Sequence, residues 1–266
     1  MRKQCVFGPI FSRRLGSSLG VNLVPYKTCN LDCVYCECGK TLNLTLERKE
    51  YLPSDLVIAT LKEAAWRLRD NPPQCVTFAG WGEPTLHVHL GDIAEAAKRI
   101  FPQERLVLIT NGTLFARYRN LLEEIQVFDL VIPSLDAGCE TTFQVVNRPH
   151  LSLSFAEHLE SLHLLRQHFT KDIWLEVFVV PGVNDTPKEL QELKKHIQKL
   201  SPERIHINSL DRRPTCEWVK APSQKELQKV ARFLGGEVIP SLQKTRNPGL
   251  SLRRQYDPHE SRSTPQ

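Results

Sequence analysis

Apolar positions along the chain follow two alternating rhythms. Short, β-branched apolar runs predict buried strands over Leu19–Val24, Cys75–Phe78, Leu106–Ile109, Phe128–Ile132, Ile173–Val180 and Arg204–Ile207. Between them, apolar residues three and four apart predict amphipathic helices over Ser54–Arg69, Ala94–Ile100, Leu114–Glu124, Ser154–His168, Pro187–Leu200 and Ser223–Leu234. In the first helix Leu56, Ile58, Leu61, Ala64, Ala65 and Leu68 share one broad face, and Ser54 stands where a cap is expected. Pro187 suits a first helical position behind Thr186 as cap. Strand followed by helix, repeated about six times, predicts an α/β fold with a parallel sheet covered by helices. The pattern alone leaves open a doubly wound sheet or an incomplete (β/α) barrel. In either, ligands bind at the C-terminal ends of the strands, in the loops that lead into the helices.

The unusual residues sit in those loops. The first strand runs into Pro25–Lys40, and the second into Gly80-Trp81-Gly82-Glu83-Pro84-Thr85. The third ends in Thr110-Asn111-Gly112-Thr113 and the fourth in Ser134-Leu135-Asp136. The fifth ends in Pro181-Gly182-Val183-Asn184-Asp185 and the sixth in Asn208-Ser209-Leu210-Asp211. A ring of polar loops on one face is expected. Residues 1–240 read as one core domain, and 241–266 as a polar, basic tail expected to be mobile and dispensable for the core chemistry.

Composition adds limits. With 41% hydrophobic and 24% charged residues in 266, the chain can bury a core without disulfide staples. No apolar run approaches the ~18 residues of a spanning helix, and the opening MRKQCVFGPIFSRRLG has no apolar leader core. A cytoplasmic protein that does not span a membrane is expected. The formal net charge is +5, and the tail contributes Lys244, Arg246, Arg253, Arg254 and Arg262 against Asp257 and Glu260. A solvated basic tail is favoured over a nucleic-acid arm.

Cysteine usage changes the picture. Of eight cysteines, Cys29, Cys33, Cys36 and Cys38 fall within ten residues, whereas Cys5, Cys75, Cys139 and Cys216 are scattered. A disulfide framework would spread its cysteines; clustering points to metal or redox chemistry. The run Cys29-Asn30-Leu31-Asp32-Cys33-Val34-Tyr35-Cys36 can place three thiolates around one centre. Structural zinc takes four protein ligands, whereas three suit a [4Fe–4S] cluster with one iron left to a small molecule. Cys38 could complete a zinc site, although two residues from Cys36 is an awkward spacing for joint chelation. Spacing alone leaves cluster, zinc and free thiols open.

CxxxCxxC with an aromatic residue before the third cysteine resembles the radical S-adenosylmethionine (SAM) superfamily. The likeness extends to Gly8–Gly20, Lys27–Cys36, Gly82–Leu86, Thr110–Gly112, Pro133–Asp136, Asn147–His150 and Gly182–Asp185, over about residues 7–235. The combination looks like the branch grouped with wyosine-synthase-like iron–sulfur oxidoreductases. That resemblance implies a partial (β/α)6 barrel, a mostly parallel sheet with helices outside. It implies that Cys29, Cys33 and Cys36 hold a [4Fe–4S] cluster and that SAM chelates the fourth iron. A flavodoxin or ferredoxin-type donor would reduce the cluster, and SAM would yield methionine and a 5′-deoxyadenosyl radical that abstracts hydrogen from a substrate.

The resemblance also distributes roles. Tyr35 stands where relatives place an aromatic near the adenine; its other role is loop packing. Gly82-Glu83-Pro84 looks like the turn whose backbone carbonyls receive the methionine amino group, with glycine allowing close approach. Trp81 replaces the glycine of the familiar form, which leaves Gly80 a weaker member. Asn111 would bond SAM or the loop backbone. Ser134 and Asp136 stand where relatives bind the ribose hydroxyls, and a helix cap is the alternative for Asp136. Glu176, in an apolar strand, is either lumen-facing or outward. Arg13 and Arg14 are surface charge or close the barrel or the SAM site, and Arg148 and His150 either meet substrate or, as a lone histidine more often does, play a structural part. Cys38 is a substrate-side thiol or a mere neighbour. The leading function is a radical SAM enzyme of unspecified substrate. A tRNA- or RNA-modifying enzyme rests on the tail and the branch alone. A non-catalytic iron–sulfur electron-transfer module predicts four cysteine ligands, and the Glu83 and Asp136 loops argue against it.

Overall fold

The computed structural model describes residues 5–240; the 241–266 tail lies outside the described residues. In chain order the strands are β1 (Val6–Ser12), β2 (Gly16–Val21), β3 (Thr28–Cys29), β4 (Asn43–Leu44), β5 (Cys75–Phe78), β6 (Arg105–Thr110), β7 (Leu130–Pro133), β8 (Asp172–Phe178), β9 (Arg204–Asn208) and β10 (Glu237–Val238). The helices are α1 (Ser54–Arg67), α2 (Leu90–Ile100), α3 (Leu121–Glu124), α4 (Glu140–Val146), α5 (Phe155–His168), α6 (Pro187–Leu200) and α7 (Gln224–Leu234). The main sheet has the order β1-β2-β5-β6-β7-β8-β9-β10. From β2 onward every pairing is parallel, and β1 adds antiparallel to β2. Six parallel strands, each returning through helix, form an open sheet of the partial (β/α)6 kind, with β1 and β10 at its edges. The short β3 and β4 pair inside the cysteine loop.

Burial explains the layering. β5 and β7 are buried along their whole length, as strands covered on both faces must be. The helices supply the outer cover through one apolar face; α6 buries Leu190, Leu193, Ile197 and Leu200. Thr186 caps α6 by accepting from the Glu189 N–H, with Pro187 in its first turn. Ser223 and Glu226 form a capping box on α7.

Several expectations need correction. Ser54 lies inside α1, whose cap position is Pro53; its hydroxyl bonds Glu50 instead. The first barrel strand begins at Gly16 and ends at Val21, so Asn22–Val24 belong to the loop. The helix expected over Leu114–Glu124 is regular only as α3. There the Ala116 N–H is taken by the Ser161 hydroxyl rather than by a helical carbonyl. β1 and α4 were not expected from pattern: Gly8–Pro9 in β1 reads as a turn, and α4 is two turns long. Among the described residues, no helix is long and apolar enough to cross a membrane.

Candidate active site

The loop from β2 to α1 carries the cysteines and is tied down from two sides. On one side the Asp32 N–H donates to Asn147 O (3.0 Å), the Val34 N–H to Val146 O (2.9 Å) and the His150 N–H to Asn30 O (2.9 Å). On the other, the Lys27 N–H donates to Trp81 O (3.0 Å) and the Glu83 N–H to Thr28 O (3.1 Å). Gly82 has no room for a side chain: a Cβ there would sit 1.8 Å from Thr28 O. The glycine of this turn is therefore required by close approach of two backbones. Residues far apart in sequence thus fix the thiols against the C-terminal ends of β5 and β7.

All eight cysteines are free thiols. Cys29, Cys33 and Cys36 are half-buried and near enough to act on one another electrostatically. Asn147 Nδ2 lies 3.5 Å from Cys33 Sγ, the Leu31 N–H 3.5 Å from Cys29 Sγ and Lys27 Nζ 3.0 Å from Cys36 Sγ. Burial pushes the Cys29 thiol up to about 12, with Glu83 adding to the effect. Burial and the nearby Asp136 push Cys33 well up. Cys36 is drawn down to about 5, first by a hydrogen bond from Cys38 and then by Lys27. Cys38 is raised, chiefly because its proton serves Cys36; it also lies 3.9 Å from Gly80 O. Among the described residues, no three His, Cys, Asp or Glu side chains converge on a point that could hold one metal ion. A [4Fe–4S] cluster asks for something else: three thiolates on three separate irons, held by a fixed loop with donors to the sulfurs. The three thiols, their N–H and ammonium neighbours and the pinned loop fit that group.

The strand-end loops close around the cysteines. Glu83 is 3% exposed. Its Oε1 accepts from Thr85 N–H (3.1 Å) and from the Thr85 and Thr110 hydroxyls (both 2.6 Å), and Oε2 from the Asn111 N–H (2.8 Å). Burial raises its carboxyl, and these bonds oppose the rise. Its side chain therefore staples the β5 turn to the end of β6, leaving Pro84 buried in the turn. The Asn111 amide donates to Asn30 Oδ1 and lies 3.9 Å from Cys29 Sγ, so it faces the cysteine loop.

Asp136 is buried and accepts from the Tyr35 hydroxyl, from Asn147 Nδ2 (2.9 Å) and from the Phe178 N–H (2.8 Å). It caps no helix; the cap position of α4 is Cys139. Burial lifts its carboxyl to about 6 against those donors. Tyr35 stacks on Phe178 with ring centroids 3.9 Å apart. Ser134 is half-buried beside them, its carbonyl accepting from His158 Nε2 at 3.1 Å. Glu176 is close enough to raise both Tyr35 and Asp136, which turns it toward the interior. There it pairs with Arg14, while Arg13 pairs with Asp211. Arg148 is exposed and His150 half-buried, its Nδ1 accepting from Ser152 N–H (3.2 Å). Pattern reasoning passed over Lys27 and Asn147. Each opens a stretch that carries the family resemblance, Lys27–Cys36 and Asn147–His150, but neither receives a role of its own from it.

Comparison with known proteins follows the same lines. The profile of the Radical SAM superfamily matches residues 23–219. The chain is 35% identical over 233 residues to a protein named GTPase Obg from Brachyspira hyodysenteriae, covering 88% of this chain and 34% of that one. It is 30% identical over 224 residues to UPF0026 protein MJ1312 of Methanocaldococcus jannaschii, covering 84% and 69%. The chain thus spans about a third of the former relative and about two thirds of the latter. Among solved structures, TYW1 with a lysine–pyruvate adduct bound shares the fold at a TM-score of 0.59 and 14% identity, covering 82% of this chain and 72% of that one. The Radical SAM superfamily uses a [4Fe–4S] cluster and S-adenosylmethionine.

Proposed function

The chain belongs to the radical SAM superfamily, and from that premise we propose an enzyme in which Cys29, Cys33 and Cys36 hold the cluster and the strand-end loops hold SAM beside it. The observation that carries the reading is the double tie of the cysteine loop, to Trp81–Glu83 on one side and to Val146–His150 on the other. When bound, the cluster and SAM together supply reductive cleavage of a sulfonium bond and a 5′-deoxyadenosyl radical able to take hydrogen from a substrate.

The protein's part is geometry. Gly82 lets the Gly82-Glu83-Pro84 turn lie against Thr28, and in this reading the carbonyls of that turn receive the amine of SAM. Glu83 makes that turn rigid through Thr85, Thr110 and Asn111. Asn111 steadies the loop at Asn30. Asp136 orients Tyr35 for the adenine, and with Ser134 it lines the place for the ribose. A small low-potential donor of the flavodoxin or ferredoxin type would deliver electrons. A reducing, cytoplasmic setting suits eight free thiols.

Anaerobic reconstitution tests the reading. The protein should take up iron and sulfide at about four each and gain broad visible absorbance. Cys29→Ala, Cys33→Ala and Cys36→Ala should each lose that absorbance, and Cys139→Ala and Cys216→Ala should keep it. A full cluster in Cys33→Ala would sink the ligand assignment.

A further inference from the structure

Lys27 combines three features that an ordinary surface lysine lacks. Its side chain belongs to a residue only 3% exposed. Its backbone has a φ of +54°, in the left-handed region, which costs a non-glycine residue free energy unless the surroundings impose it. They do: its N–H donates to Trp81 O at 3.0 Å, and its carbonyl accepts from the Leu42 N–H (3.0 Å) and the Asn43 N–H (3.1 Å). Two separate segments thus hold Lys27 in a conformation that aims a long cationic side chain inward. The ammonium ends 3.0 Å from Cys36 Sγ. Among the described residues it forms no ion pair with a carboxylate. A buried ammonium without an anion is strongly disfavoured, so its counter-charge is the Cys36 sulfur.

We propose that Lys27 is a positioning residue that donates a charged hydrogen bond to Cys36 Sγ and raises the reduction potential of the cluster held there. The inference rests on the ligand assignment under Proposed function. One electron enters from a low-potential donor, no bond forms or breaks, and Lys27 stays charged throughout. The negative charge of the cluster and its thiolates grows by one. A fixed positive charge at hydrogen-bond distance stabilises that more negative state, and hydrogen bonding to cluster sulfurs is an established lever on potential.

The test compares wild type, Lys27→Met, Lys27→Gln and Lys27→Arg, each reconstituted anaerobically and assayed for iron and sulfide. Midpoint potentials are read by spectroscopically monitored titration without SAM, and SAM affinity is measured separately. Lys27→Met should carry a full cluster with a lower midpoint, Lys27→Gln should shift the same way, and Lys27→Arg should stay near wild type. An unchanged midpoint in a fully loaded Lys27→Met or Lys27→Gln overturns the proposal. So does an unchanged midpoint with lost SAM affinity, which would give Lys27 to the SAM carboxylate. If neither neutral variant loads while Lys27→Arg does, the charge serves assembly and the proposal likewise falls. Failure of the underlying reading is separate: it would appear as a full cluster in Cys36→Ala.

Discussion

Asp136 has three protein donors on two oxygens: Tyr35 and Asn147 share one, and the Phe178 N–H holds the other. In the proposed site a carboxylate so engaged would act on SAM both directly and through the groups it holds. Asp136→Ala should therefore weaken SAM binding by about 1–3 kcal/mol, the scale for losing a charged hydrogen-bond partner, while iron and sulfide content stay full. Calorimetric titration of the reconstituted variant checks this, and unchanged affinity would confine Asp136 to packing Tyr35. At this scale the sequence was readable where chemistry restricts the residue type. Thiols clustered at CxxxCxxC and a glycine in a strand-end turn leave few alternatives. Asn147 opens a stretch that carries the resemblance, but its role was not readable, because asparagine suits any loop; its place beside Cys33 joins segments over a hundred residues apart in sequence.

The β1–β2 turn is the element whose arginines the pattern left open between surface charge and closing the barrel or the SAM site. It carries Arg14 into the barrel interior to meet Glu176 on β8, and Arg13 to Asp211 and Asn208 at the far edge. Side chains of the first pair are only 13% and 16% exposed, so removing one charge strands the other. Arg14→Met should cost roughly 3 kcal/mol of stability, the lower end for breaking a buried pair. Arg14→Met combined with Glu176→Gln should recover most of it. Chemical denaturation of all three variants and wild type decides; additive losses would show that the two side chains do not depend on each other. Amphipathic period recovered α5, α6 and α7 nearly to the residue, because long helices with one apolar face leave a strong signal. It overran at Leu114–Glu124, where Leu114 and Phe115 are buried in a non-helical path and only Leu121 and Leu122 sit in the short α3. Apolar spacing reports burial, and helicity follows only if backbone partners allow it.

At the scale of the molecule, buried histidines set an acid limit. His158 is 2% exposed and its Nε2 donates to Ser134 O within a cage of Phe143 and Phe155. Burial holds its pKa down at about 4, and burial with Arg14 nearby does the same for His206. The unfolded chain protonates these rings near 6.5. Between those values it binds more protons than the fold, so stability is complete above about pH 6.5 and declines as pH falls toward 4. The gap corresponds to roughly 3 kcal/mol for such a ring. His158→Gln should therefore lose less stability than wild type between neutral and mildly acid pH in metal-free protein; an equal loss would clear His158 of the effect. The outermost strand carries a different consequence. β1 presents Ile10 and Phe11 at 51% and 70% exposure, an apolar rim that another chain could extend. Its pairing register slips between Phe7 and Ile10, and Pro9 offers no N–H. The interrupted ladder denies a neighbouring molecule a continuous template, so the open barrel can keep a free margin without inviting strand-by-strand polymerisation.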